Sequence, residues 1–135
     1  MICHNLFISH SWQYSDAYLK LIGLLNKQVS LKRISYKNYS VPKNDPIHNA
    51  SSDKELKLAI EKQIRQCSCL VILAGVYATY SKWINAEIDI AKKLGKQIIA
   101  IEPWGSEKTS SIVKMYADKI VKWNGDSIVM AIKEV

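Results

Sequence analysis

The chain has 135 residues, enough for one domain with a real core spanning 1–135, and its 48% hydrophobic and 23% charged content is that of a soluble globule. No apolar run approaches the roughly 18 residues of a membrane span, and "MICHNLFISHSW" lacks the basic-then-apolar order of a leader, so a cytoplasmic protein without a membrane association is expected. Net charge is +7; residues 27–65 carry nine basic against four acidic residues, so +5 of it lies there.

In chain order, "NLFIS" (5–9) reads as a short apolar strand. "SDAYLKLIGLLNK" follows with helical spacing at Tyr18, Leu21, Ile22 and Leu25, capped by Ser15 or Asp16. "RISYKNYSV" is strand-like, and "PKNDPIHNAS" is a long loop rich in turn residues. Ser52 and Glu55 fit a capping box ahead of a helix with Leu56, Ala59, Ile60 and Ile64 on one stripe. "CLVILAG" and "QIIAIEPW" are apolar on both faces, as interior strands of a parallel sheet are. The helix "SKWINAEIDIAKKLG" lies between them. Then come "SSIVKMYADK" (helix), "IVKWN" (short strand) and "GDSIVMAIKEV" (helix, with Asp126 or Ser127 near its cap). The alternation β-α-β-α-β-α-β-α-β-α argues for a doubly wound α/β domain around a parallel sheet. Function in such folds gathers at the carboxyl ends of the strands.

Several chemistries drop out. No G-x-G-x-x-G follows a strand, and there is no Walker phosphate loop or G-x-S-x-G elbow. A phospho-accepting receiver needs acidic residues where this chain has Ser9-His10-Ser11 and Ala74-Gly75. Cys3, Cys67 and Cys69 have no metal-ligand spacing with His4, His10 or His48, so no metal site is expected. The lysines are dispersed without interleaved aromatics, which argues against specific nucleic-acid binding and leaves an anionic small molecule open.

One residue is out of place. In residues 81–95, Trp83, Ile84, Ala86, Ile88, Ile90, Ala91 and Leu94 share one helical arc, and Lys82, Asn85, Asp89, Lys92 and Lys93 share the other. Glu87 falls in the middle of the apolar arc. Two readings stand: a carboxylate near a helix start, favoured by the dipole and served by local donors, or one held at the mouth of a cleft beside Trp83 to meet something cationic.

"NLFISHSW" followed by "SKWINAEIDIAKKLGKQIIAIEPW" resembles the TIR domain, and within it the small bacterial group that includes the TIR subunit of the Thoeris anti-phage system. The resemblance rests on the W-x-x-x-E helix opening and the F-I-S strand end. It implies an α/β, flavodoxin-like three-layer sandwich with a mainly five-stranded parallel sheet. It also implies a hydrolase that cleaves NAD, with NAD as substrate and no cofactor, and that makes an ADP-ribose-derived signal sensed by a downstream effector. Glu87 matches the catalytic glutamate and Trp83 the tryptophan four before it. Residues 41–52 match the mobile loop that shapes the pocket and mediates TIR–TIR self-association, and "NDPIH" resembles the bacterial version, which makes Asp45 and His48 pocket candidates. Ser9, His10, Ser11 and Trp12, near the strand ends, are candidates for holding the rest of the dinucleotide. Nicotinamide leaves as a neutral group, so the reaction requires no metal. The alternatives are a non-catalytic TIR interaction module and a nucleotide sensor that binds without cutting.

Overall fold

The computed structural model describes residues 2–9, 15–39, 53–74, 82–102 and 111–135. The strands are β1 (Cys3–Ile8), β2 (Ser35–Asn38), β3 (Cys69–Leu73), β4 (Gln97–Ile101) and β5 (Lys119–Val121). The helices are α1 (Ser15–Ser30), α2 (Asp53–Arg65), α3 (Lys82–Lys93), α4 (Ser111–Tyr116) and α5 (Gly125–Lys133). The five strands form one sheet in the order β2-β1-β3-β4-β5, and every pairing is parallel. With helices on both faces this is the flavodoxin-like α/β sandwich expected from the alternation of elements.

The period of two along each strand sorts its side chains onto two faces. Phe7, Leu70, Ile72, Ile98 and Ala100 join the buried cluster that holds residues of α2, α3 and α4. Leu6, Ile8, Val71, Ile99 and Ile101 join a second cluster with residues of α1 and α5. β3 is buried at all five positions and β4 at its last four, which is why both read as unbroken apolar runs. Burying each of these Leu and Ile side chains is worth about 1.5–3 kcal/mol, so the two central strands anchor the fold.

The edges are shorter than their sequence patterns. β2 keeps four residues, with one further backbone bond from Tyr39 to Leu6, because it pairs on one side and its last two residues face outward. β5 stops at Val121 because the next residues serve α5. Trp123 packs against the α1/α5 cluster, and the Asn124 side chain accepts a hydrogen bond from Ser127 N (3.1 Å) with an extended backbone at Asn124. The cap of α5 is Asn124, and Ser127, near it in the first turn as expected, supplies the N–H that it accepts. Asp126 instead pairs with Arg33 (2.6 Å), which also donates to the buried Gln28 on α1. α3 ends where Gly95 takes a left-handed conformation (φ 71°), with Lys96 N bonded to Ala91 O and Gly95 N to Lys92 O.

Candidate functional site

Among the described residues, three polar or charged side chains are buried: Ser9, Gln28 and Glu87. Two of them meet. Ser9 Oγ donates a hydrogen bond to Glu87 Oε2 at 2.7 Å, joining positions 78 apart in the chain.

Each arrives by a simple local rule. Ser9 directly follows β1, and its backbone N–H donates to Val71 O (2.8 Å), so the strand pairing with β3 carries it one residue further. Two residues from Phe7, it shares Phe7's side of the sheet, which is the α3 side. Glu87 lies on the stripe Ile84–Ile88–Ala91 of α3, and those three residues are buried in the same cluster. Helical spacing therefore forces its carboxylate inward: Glu87 is 5% exposed.

The electrostatics follow from that burial. Removing the carboxylate from water disfavours its charged form, and the Ser9 hydrogen bond opposes this only in part; the Glu87 pKa is pushed up to about 7. The dipole explanation fails on position. α3 starts at Lys82 and has no acidic residue in its first turn, so Glu87 lies beyond the reach of the helix N-terminus. Among the described residues, the hydroxyl that reaches it comes from another element.

Of the residues expected at the site, the structure brings Ser9 and Glu87 together. The Ser9 hydroxyl, expected to face a dinucleotide, is directed to the carboxylate. Trp83 sits in the first turn of α3, and its side chain lies outside the described atoms. His10, Ser11, Trp12, Asp45, His48 and the 41–52 loop lie outside the described residues. The Ser9–Glu87 pairing itself was not foreseen. The available signal was the parity of "FIS", which puts a hydroxyl on the face that α3 covers.

Other chemistry is not assembled among the described residues. They contain no group of three His, Cys, Asp or Glu side chains placed to hold a metal ion. Cys67 and Cys69 are buried, and burial pushes both thiols up to about 12, which leaves them inert. No described helix is long and apolar enough to cross a membrane.

The chain matches the family model "Thoeris protein ThsB, TIR-like domain" over residues 7–108. It is 26% identical over 98 residues to a Cytobacillus dafuensis protein named "Putative cyclic ADP-D-ribose synthase TIR2". That alignment covers 73% of this chain and 25% of the relative, so the chain spans about a quarter of that protein's length. Among solved structures, a conserved protein from Enterococcus faecalis V583 superposes with a TM-score of 0.65 at 15% identity, covering 98% of this chain and 99% of that one. The Clostridium botulinum CMP N-glycosidase BcmB does so with a TM-score of 0.56 at 14% identity, covering 97% and 99%. At these identities the two structures speak for the fold. The family match takes in most of the chain, including Glu87 and Ser9, and the chain belongs to the TIR-like domain family of the Thoeris protein ThsB.

Proposed function

We propose that this domain cleaves NAD at the bond between nicotinamide and ribose, with Glu87 as the catalytic carboxylate, and that the ADP-ribose-derived product is a signal in anti-phage defence. The observation that carries this reading is Glu87 itself, a buried carboxylate with a raised pKa and one hydroxyl donor beside the carboxyl ends of β1 and β3. An ionisable group kept in so costly a place is characteristic of a working site. The name of the Cytobacillus relative, "Putative cyclic ADP-D-ribose synthase TIR2", points to the same chemistry.

In the reaction, the electron pair of the C1′–N bond goes to the pyridinium nitrogen, and neutral nicotinamide leaves. Positive charge develops on the ribose as an oxocarbenium-like state. The ionised Glu87 lies where that charge forms, in a medium far less polar than water, and stabilises it without reorganising. Its carboxylate also accepts hydrogen bonds from ribose hydroxyls. The acceptor then decides the product: water gives ADP-ribose, and a nucleophile within the same molecule gives a cyclic isomer. The positive charge of residues 27–65 favours approach of the pyrophosphate. Copies associate through TIR–TIR contacts to complete the pocket, and an effector reads the product.

The test is incubation of concentrated protein with NAD, with nicotinamide and the sugar-nucleotide product followed by mass spectrometry. Release of nicotinamide by the parent and its loss in Glu87→Gln, with the melting temperature kept, is the expected result. Cleavage by E87Q at the parent rate would remove Glu87 from the mechanism. No nicotinamide at any protein concentration, with or without infected-cell extract, would leave the domain as an interaction module.

A further inference from the structure

The two oxygens of Glu87 are not equivalent. Oε2 accepts the Ser9 hydroxyl at 2.7 Å, while Oε1 receives no hydrogen bond from any described residue. An ionised carboxylate has about four acceptor positions, and buried acceptors are nearly always satisfied. Among the described residues, then, the buried carboxylate has one donor on one oxygen, and the division is along the two oxygens.

The geometry points to Ser9 as a positioning residue: its hydroxyl fixes Glu87 through Oε2 and thereby presents Oε1 as the oxygen that meets the ligand. This rests on the proposed function of Glu87 and gives Ser9 a role other than contact with the dinucleotide. The serine suits the task because its backbone is held. Ser9 N is bonded to Val71 O, so the donor is fixed to the central strand β3 and not to a loose loop. A donor on rigid backbone fixes the carboxylate of a longer side chain, whose freedom would otherwise blur its aim.

The surroundings leave Ser9 as the polar influence on Glu87 among the described residues. α2 and β4, which pack on α3, contribute Ile60, Ile64, Ile98 and Ala100 to the cluster around Ile84 and Ile88. The titratable side chains of that cluster are the Cys67 thiol, neutral because burial pushes it up to about 12, and the partly buried Tyr39 phenol packed against the cluster. On α2, Lys54, Glu55, Lys57 and Lys62 are exposed, and Glu61 pairs with Arg65 on the outer surface. On α3, Asp89 and Lys93 are exposed, and Lys92 is paired with Asp118. The hydroxyl is therefore what draws the Glu87 pKa down against burial.

The experiment compares parent, Ser9→Ala, Ser9→Thr and Glu87→Gln, with two readouts. The first is the titration of the Glu87 carboxyl in the unliganded protein, followed by carbon-13 NMR. The second is the pH profile of kcat and KM for nicotinamide release from NAD. In S9A the Glu87 titration is expected to move to higher pH. The acid limb of kcat moves with it, and kcat at pH 7 falls about tenfold to a hundredfold, the scale of a hydrogen bond to a charged group, while KM changes little. S9T, which keeps a hydroxyl, returns both readouts toward the parent. Where S9A does not hold its fold, Ser9→Cys keeps the volume with a weak donor and is expected to show the same shift. A Glu87 titration and kcat in S9A equal to the parent, with E87Q inactive, would overturn the role of Ser9 and leave the proposed function standing. Full activity in E87Q would remove Glu87 from the mechanism and overturn the catalytic role of Ser9 with it, while the NMR shift in S9A would still report the Ser9–Glu87 coupling.

Discussion

Two carboxylates meet α3, one in its middle and one near its carboxyl end, and they are treated in opposite ways. At the amino end of the sheet, Asp118 Oδ2 accepts the backbone N–H of Ile98 (2.8 Å), and Lys92 near the end of α3 lies 3.3 Å from Oδ1. Asp118 also donates its own N–H to Ile98 O (2.8 Å), so the two residues clasp β4 to the start of β5. Its side chain is 38% exposed. In the middle of α3, Glu87 is 5% exposed and has one hydroxyl donor among the described residues. A carboxylate that builds a fold is given donors, a cation and access to water. Glu87 has, among the described residues, one hydroxyl donor and little access to water, and its burial raises its pKa.

The largest expected effect separates the two in activity. Glu87→Gln should lower NAD cleavage by at least about 10²-fold, the scale of losing one preorganised electrostatic group, whereas Asp118→Asn should leave kcat within a fewfold. Steady-state nicotinamide release measures both. Equal losses in the two variants would dissolve the contrast.

The next effect is in stability and has a definite sign. The Glu87 pKa is raised from 4.5 when exposed to about 7 in the folded chain. The folded state therefore holds its proton more tightly than the unfolded one. The carboxyl costs nothing below pH 4.5, and its cost grows as pH rises through 7, reaching about 3 kcal/mol. Denaturant unfolding of parent and E87Q should show E87Q gaining about that much relative to the parent between pH 4.5 and pH 8. A pH-independent difference between them would mean that Glu87 is not strained by burial.

Asp118→Ala should destabilise by about 1–3 kcal/mol by leaving the Ile98 N–H without its partner. D118N keeps an acceptor and should lose less, so the difference between the two isolates the backbone bond. Smallest of all, Lys92→Ala should cost no more than about 1 kcal/mol, as a partly exposed ion pair does, and the loss should shrink in high salt. Chemical denaturation with and without salt resolves these. A K92A loss larger than that of D118A would reverse the ranking of the two bonds.

Much of this contrast was visible in the sequence on one side only. Glu87 announced itself because helical spacing placed it among Ile84, Ile88 and Ala91, and a charge on an apolar arc is a local pattern. β3 and β4 were equally plain, since strands buried on both faces have no polar positions to confuse the period. Ser9 as the partner of Glu87 was not visible, because the contact joins residues 78 apart and exists only after β1, β3 and α3 are placed. Asp118 looked like an ordinary helix-end residue for the same reason: its partners, Ile98 and Lys92, are brought to it by the crossover from β4 to β5. The cap of α5 went to Asn124 because β5 ended early, and strand ends at a sheet edge are set by pairing, which spacing does not encode.

The distance in sequence between Ser9 and Glu87 also bears on when a copy of the protein becomes competent during its synthesis. The serine directly follows the first strand, and the glutamate belongs to a helix in the later half of the chain. Growing from its N-terminus, a nascent chain completes β1, β2 and β3 before the residues of α3 exist. Domains fold largely as units once their parts are available, so the pair closes only when α3 has been made and has docked on β4 and α2. An incomplete or prematurely terminated polypeptide that stops short of α3 carries the hydroxyl without the carboxylate. On the function proposed above, such fragments lack the carboxylate that would cleave NAD.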